Sequence, residues 1–309
     1  MKEYEWETEY GVLKYNILDN EVMVTEYKGK DVSLAIPDRL ADMPVTIVGK
    51  KAFLGAKSLR NILLPQSLMQ IQEWAFASCS NLETIYLPCR KITAGLGIFK
   101  DCNSLQKIIP TKYEENDIAD EDAAMLECIP RLLASAVTVL DAFYLFDLSA
   151  AGSVEWFKQW DARMMSLMEQ EDTEGFSKML LCGEEDYGSK ENNLDYYVEQ
   201  RRRFKVRLAM LRLMYGVRLD TEIRKKLISY LQLHKKGGES EETWKVVLEE
   251  HGDEKAYYQF LLDYDCIDKD NFEAVLFDMG EGHTEMKSFL MNCRELWVDM
   301  DNVFAGLEL

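Results

Sequence analysis

Two cysteines stand at the same point of a repeated stretch, Cys79 in AFASCSNLETIYLP (Ala75 to Pro88) and Cys102 in GIFKDCNSLQKIIP (Gly97 to Pro110). Thiolates hold zinc or attack as nucleophiles when several ligands, or an activating base, converge on them. A zinc site needs about four ligands, commonly from two close pairs. Here cysteine comes once per copy with no histidine nearby in sequence. The pattern therefore predicts small buried residues packed between stacked copies, roughly one strand spacing or ~5 Å apart, with a contact between the two thiols left open. The other five cysteines, Cys89, Cys128, Cys182, Cys266 and Cys293, show no partner spacing. Seven cysteines without a CxxC pair fit free thiols in a reducing compartment.

The remaining candidates for chemistry each carry a plainer explanation. His234 and His251 fall in last turns of expected helices, where a cation meets the negative helix end, and His283 precedes an expected helix start. No HExxH, GxSxG or HxE…CxxC signature occurs. AGLGIFKD, Ala94 to Asp101, contains Gly-x-Gly but lacks the third glycine and the strand-turn-helix setting of a phosphate loop. DYDCIDKDNFE, Asp263 to Glu273, crowds acids like a calcium loop but has no glycine at the sixth position, and Asp268 reads as a helix cap. RRRFK, Arg201 to Lys205, is a dense basic cluster inside an acidic region; acids such as Glu199 predict an internally paired or solvated face, with an acidic-peptide or phosphate contact as the alternative. No catalytic residue, metal ligand or cofactor site is expected from these residues.

The repeat itself predicts architecture. Phe53, Phe76 and Phe99 are 23 residues apart, as are Leu59, Leu82 and Leu105, and Ile62, Ile85 and Ile108. Pro65 and Pro88 keep the step while Pro110 arrives one residue early, which reads as a one-residue deletion at the strand end of the third copy. A fixed period of this length implies a solenoid, in which each copy buries its apolar face only against its neighbour. Within a copy, Leu-x-x-Ile-x-Leu-Pro sets alternate residues inward, as in a short strand. Asn61 and Leu63, Thr84 and Tyr86, and Lys107 then point to the other face, where they form the candidate partner-binding ladder. The same ladder could instead be covered by the helical half of the chain.

These residues resemble the BspA-type leucine-rich repeat family over roughly residues 10–110. The likeness rests on Tyr27, Gly29, IP at 36 and 37, PVTIVG at 44 to 49, AF at 52 and 75, and CSNL at 79 to 82. The third copy departs with IF for AF, and the first has Ala56 where the later copies have cysteine. The resemblance implies a protein-binding surface. Family members are usually surface or secreted proteins taking part in adhesion, an expectation set against an N-terminus without a signal-peptide pattern.

Charge and proline divide the chain. Its 309 residues carry a net charge of −19, yet residues 1–110 hold 13 acids and 13 bases, so the whole excess lies in the second part. Such a surface repels a phosphate backbone, which argues against nucleic-acid binding. All six prolines lie at or before Pro130. A linker is placed at about residues 111–118, and the rest reads as helices starting at Ser153, Asn193, Asp220, Ser240, Asp253, Asp268 and Thr284. The second half also has a loose likeness to ankyrin-type or other α-solenoid hairpins. The expected fold is α+β: a leucine-rich repeat domain over residues 1–112, then an acidic all-helical domain over residues 113–309. The expected protein is cytoplasmic, bacterial-type and non-catalytic, without cofactor or membrane contact, and works by binding a protein or peptide. The alternative is an enzyme or effector whose active site lies in the helical half, the repeats recruiting its substrate.

Overall fold

The computed structural model describes residues 2–111, 120–182 and 193–305. The expected linker lies outside the described residues except for Thr111. Two compact units emerge: Met1–Met165 with Tyr215–Arg218, and Ser166–Met214 with Leu219–Leu309. The first unit thus runs past residue 112, because α1 (Asp120–Thr138) packs against the last strand of the solenoid.

Eleven short strands are described in the first unit: β1 (Glu3–Glu7), β2 (Gly11–Leu18), β3 (Glu21–Gly29), β4 (Ser33–Ala35), β5 (Arg39–Leu40), β6 (Met43–Val48), β7 (Asn61–Leu63), β8 (Gln70–Ile71), β9 (Thr84–Pro88), β10 (Thr93–Ala94) and β11 (Lys107–Thr111). An antiparallel β1-β2-β3 meander starts the chain, and from β3 onward the solenoid pairs in parallel along β3-β6-β8-β10 and β4-β7-β9-β11. β5 and β6 form a small antiparallel hairpin. Ala41 and Asp42 at its tip both have positive φ, as a tight two-residue hairpin turn requires.

Strand length is set by composition: apolar residues alternate, and the turns that follow take two left-handed positions per copy. Lys51, Trp74 and Gly97 occupy one, at φ 59°, 60° and 60°; Gly55, Ser78 and Asp101 occupy the other, at φ 68°, 59° and 59°. The 23-residue period is therefore a period of backbone conformation as well as of side chains. Inside, Phe53, Phe76 and Phe99 stack with ring centroids 5.0 and 5.7 Å apart. Tyr27 closes the column at one end at 5.4 Å, and Phe146 meets it edge-on at the other at 6.1 Å.

One expectation is corrected. β11 pairs with β9 at a constant offset of 23, from Lys107 opposite Thr84 to Thr111 opposite Pro88. No residue is deleted; Pro110 takes the inward place that Leu87 holds in the copy before, its ring substituting for leucine.

Polar contacts close one end of the solenoid. Asp31 is 2% exposed and accepts bonds from Thr8 Oγ1 at 2.6 Å, Tyr27 Oη at 2.7 Å and the Tyr10 amide at 2.9 Å. Burial opposes the Asp31 charge, but those donors outweigh it and hold the carboxyl below its ordinary value, while burial and the same bond push Tyr27 up to about 12. At the other end, α1 buries Cys128, Leu132, Leu133 and Ala136. Pro130 sits inside α1 and removes one helical N–H, so packing must outweigh a defect that costs an isolated helix about 3 kcal/mol. The indole of Trp160, in α2 (Val154–Met168), donates to the Leu132 carbonyl at 3.0 Å and ties α2 to α1.

The second unit is helical: α3 (Phe176–Cys182), α4 (Leu194–Met214), α5 (Thr221–Leu233), α6 (Glu242–Glu250), α7 (Lys255–Asp263), α8 (Phe272–Asp278) and α9 (Thr284–Ala305). α4 packs against α5 and α6, and α7 against α9. Asp220 caps α5 as expected, its carboxylate accepting from the amides of Glu222 and Ile223. Ser240 and Asp253 do not cap. Ser240 Oγ lies 2.7 Å from His234 Nδ1, and Asp253 Oδ1 2.8 Å from His283 Nδ1, so tertiary partners take the oxygens that local pattern assigned to helix starts. Asp268 accepts from the amides of Asp270 and Asn271, just ahead of α8.

Candidate functional site

The four strands β4, β7, β9 and β11 place their outward residues in two straight rows. Ser33, Asn61, Thr84 and Lys107 stand opposite one another in the first; Ala35, Leu63, Tyr86 and Ile109 in the second. Between the rows, Leu34, Ile62, Ile85 and Ile108 turn inward and are buried, so the alternation of a pleated strand fixes which face each residue serves. Neighbouring strands lie about 4.8 Å apart, which makes each row roughly 15 Å long. One row is polar and its neighbour apolar.

All five residues expected in the ladder fall in these rows. Leu63 is 40% exposed; Asn61, Thr84, Tyr86 and Lys107 are half-buried. Asn61 Nδ2 donates to Ser33 Oγ at 3.3 Å. Lys107 Nζ meets Glu127 of α1 at 2.9 Å, and Glu127 also receives Arg131. The bond from Lys107 holds Glu127 below the usual carboxylate range.

Sequence reasoning missed Ser33, Ala35 and Ile109. β4 aligns with β7 at an offset of 28 rather than 23, because the β5–β6 hairpin inserts five residues, and a scan at fixed period skips that copy. The usable signal is Ile36-Pro37, which lies 28 residues before Leu64-Pro65.

Cys79 and Cys102 are buried, and each thiol donates at 3.0 Å to the carbonyl of the phenylalanine in the preceding copy, Phe53 and Phe76 respectively. Each is thus a packing residue that also satisfies one carbonyl of the turn below. The adjacent Cys79, together with burial, raises the Cys102 thiol far above its ordinary range. A protonated, buried thiol of this kind is a poor nucleophile and a poor metal ligand. The side chain of Cys182 lies outside the described residues. Gly95 and Gly97 serve the backbone: a Cβ on Gly95 would lie 2.4 Å from the Glu73 amide nitrogen, and Gly97 takes a left-handed turn position. Among the described residues, no group of three or more His, Cys, Asp or Glu is placed to hold a metal ion, and no helix is long and apolar enough to cross a membrane.

In the helical unit the basic cluster is paired. Arg203 meets Glu199, Glu242 and Glu249 at 2.9, 3.0 and 2.6 Å; Arg202 and Lys205 share Asp172 at 2.9 and 2.7 Å. Glu242 is 3% exposed, and burial raises its carboxyl although Lys245 and Arg203 oppose this. Burial works against the charge of Asp172 too, but Lys205 and Arg202 keep it below the ordinary range. His234, at the end of α5, lies against Tyr230 with ring centroids 4.5 Å apart. Burial and the nearby Arg202 lower its pKa, with Glu239 and Asp172 opposing, so it is a neutral hydrogen-bonding group rather than the helix-end cation expected from sequence.

Residues 33–120 match the family model described as "BspA type Leucine rich repeat region", in six copies. No curated protein matches this chain. Among solved structures, a leucine-rich repeat protein from T. pallidum is similar at 30% identity over 35% of this chain and 50% of its own, with a TM-score of 0.31. A leucine-rich repeat protein from Bacteroides ovatus is similar at 27% identity over 35% of this chain and 30% of its own, with a TM-score of 0.30. A leucine-rich cell surface protein from Faecalibacterium prausnitzii shows 22% identity, the same two coverages and a TM-score of 0.30. The chain therefore spans half or less of the length of these relatives.

Proposed function

We propose that the BspA-type leucine-rich repeat region makes this a non-catalytic binding protein, whose partner is a protein or peptide laid across the rows Asn61–Thr84–Lys107 and Leu63–Tyr86. The observation that carries this reading is the unbroken register of β4, β7, β9 and β11, which sets an apolar row beside a polar one on a face where Ser33, Ala35 and Leu63 are exposed. A straight apolar row supplies desolvation and an adjacent row of hydroxyl, amide and ammonium groups supplies direction, the usual division of labour in a recognition surface. Tyr86, central in the apolar row, is the expected anchor. In this reading residues 1–112 carry the recognition strands and residues 113–309 supply the acidic helical part. A reducing, cytoplasmic setting agrees with Cys79 and Cys102 standing as free thiols bonded to carbonyls.

The test uses the full chain and a displayed library of protein fragments. Binders that dock on this face protect β7 and β9 from hydrogen exchange, and Leu63→Ser with Tyr86→Ser weakens them at least about tenfold. The unfolding free energy stays within about 1 kcal/mol of the parent, since Leu63 is exposed and Tyr86 only half-buried. Binders unaffected by the double substitution, with protection elsewhere, would sink this assignment.

A further inference from the structure

The stack of turns that follows β6, β8 and β10 carries a feature that folding alone does not require. Trp74 occupies a left-handed backbone position, φ 60°, where a bulky residue is an outlier and where the next copy has Gly97. Instead of being buried, its indole is 41% exposed. Lys51, from the equivalent position one copy earlier, sets its ammonium 5.3 Å from the ring centroid, and Lys100 from the following copy sets its own at 5.7 Å. Neighbouring Lys50 is paired with Glu73 at 2.7 Å, but neither Lys51 nor Lys100 meets a carboxylate among the described residues. Three successive copies thus contribute to one aromatic platform with a cation on each side.

The platform adjoins a groove. A Cβ at Gly97 would lie 3.4 Å from Trp74 Cδ1, so the indole runs along Gly97, and Gly97 with Leu96 forms the rim of an open cavity of about 630 Å³. Leu96 is 77% exposed, and Phe99, Leu105, Val137, Val139 and Phe143 give the cavity an apolar lining. Lys100, Asp101 and Asp141 are its charged members. Such a site is large enough for one or two apolar side chains, and its open cations stand beside the rim.

We propose that this is a second docking surface, separate from the strand rows, and that its occupant is a short acidic-apolar segment of a partner protein. An apolar side chain of the segment fills the groove, and its carboxylates meet the Lys51 and Lys100 ammoniums at the exposed edge of the Trp74 ring. Charge complementarity selects the occupant. Two ammoniums that meet no carboxylate among the described residues favour carboxylates there, while Asp101 and Asp141 keep acidic side chains out of the groove and admit an apolar one. Trp74 supplies a rigid anchor whose indole N–H meets no acceptor among the described residues, and it is a residue type that often dominates an interface.

The test takes the full-length protein and a displayed library of short random peptides. Selected peptides combine aspartate or glutamate with a leucine or aromatic residue. A fluorescein-labelled peptide of the most enriched sequence then loses affinity at least about tenfold with Lys51→Ser plus Lys100→Ser, a comparable amount with Leu96→Ser, and progressively as ionic strength rises. The Leu63→Ser, Tyr86→Ser protein binds that peptide unchanged, which separates this surface from the strand rows. Binding shifts tryptophan emission in the parent and not in Trp74→Phe. Enrichment of peptides without acids, or affinity indifferent to the lysine substitutions, overturns the proposal. So do capture of phosphatidylserine-rich vesicles in place of peptides, and a dimer that the lysine substitutions convert to monomer.

Discussion

The two units of this chain solve the same problem, holding short elements together, by opposite means. The solenoid repeats one contact: ring on ring at Phe53, Phe76 and Phe99, and thiol to carbonyl at Cys79 and Cys102. The helical unit uses contacts that occur once, centred on Arg203 with three carboxylates and on Asp172 with two cations. A repeated apolar contact is nearly independent of pH and salt. A one-off ionic network is specific but exposed to both, and a buried member such as Glu242 becomes a liability when its partner leaves. Repetition therefore leaves outward residues such as Ser33, Ala35 and Leu63 exposed, whereas in the helical unit the most densely charged residues are occupied by each other.

The largest way to test this contrast is Phe76→Ala, which opens the centre of the column. A loss of about 3 to 5 kcal/mol in denaturant unfolding is expected; a loss under about 1 kcal/mol would mean that the copies do not depend on one another through this ring. Next comes Arg203→Met, which leaves Glu242 buried with only Lys245 near it. Measured losses for breaking buried pairs reach about 3 to 5 kcal/mol. Here about 2 kcal/mol is expected, because Lys245 stands 3.6 Å from Glu242 and remains to compensate it. The double change Arg203→Met with Glu242→Leu should recover much of it, and failure to recover would show that the network is not what Arg203 stabilises. Cys79→Ala removes a buried thiol and its carbonyl bond, for a loss of about 1 kcal/mol by the same measurement. Zinc content measured on the parent and on Cys79→Ala should be equal.

Acidification gives the finest separation. His234 has a folded pKa below its ordinary 6.5, so the unfolded chain binds the extra proton. The stability it contributes is complete above about pH 6.5 and is lost as pH falls below that value. Asp172 and Asp31 have folded values below the ordinary 3.8, so their contributions hold until pH drops beneath about 4 and then disappear. Hydrogen exchange followed from pH 7 to pH 5 should therefore loosen α5 and α6 before the solenoid strands. In His234→Gln that first step should vanish. Loosening of β7 and β9 in the same range would contradict the assignment.

Much of the solenoid was legible because its rules are local and repeated. Alternation put Ile62, Ile85 and Ile108 inside and Leu63 and Tyr86 outside, and the 23-residue step set the phenylalanines in register. What escaped was whatever broke the step. The copy containing Ser33 and Ala35 was displaced by the β5–β6 hairpin, and Pro110 looked like a shift of register when it was a substitution for leucine. In the helical unit, Asp220 behaves as its position predicts, but Ser240 and Asp253 bond to His234 and His283 instead. A side-chain oxygen near a helix start has local amides always within reach, yet a partner from elsewhere in the fold wins whenever it arrives with better geometry.

By itself the sequence determined the period, the inward and outward faces of the strands, the position of Asp220 as a cap and the imbalance of charge between the two parts of the chain. Each depends on residues close in sequence or on simple counting. Only the tertiary structure decided that the thiols donate to carbonyls one copy away, that Arg202, Arg203 and Lys205 are spent on internal carboxylates and Arg201 on the Gln170 amide, and that Lys51, Trp74 and Lys100 meet around one ring. The reason is geometric. Residues 23 to 26 apart become neighbours only when the backbone closes each turn at the same two left-handed positions, and residues 30 to 46 apart in the helical unit only when helices pack. Distance in the chain carries no record of either event.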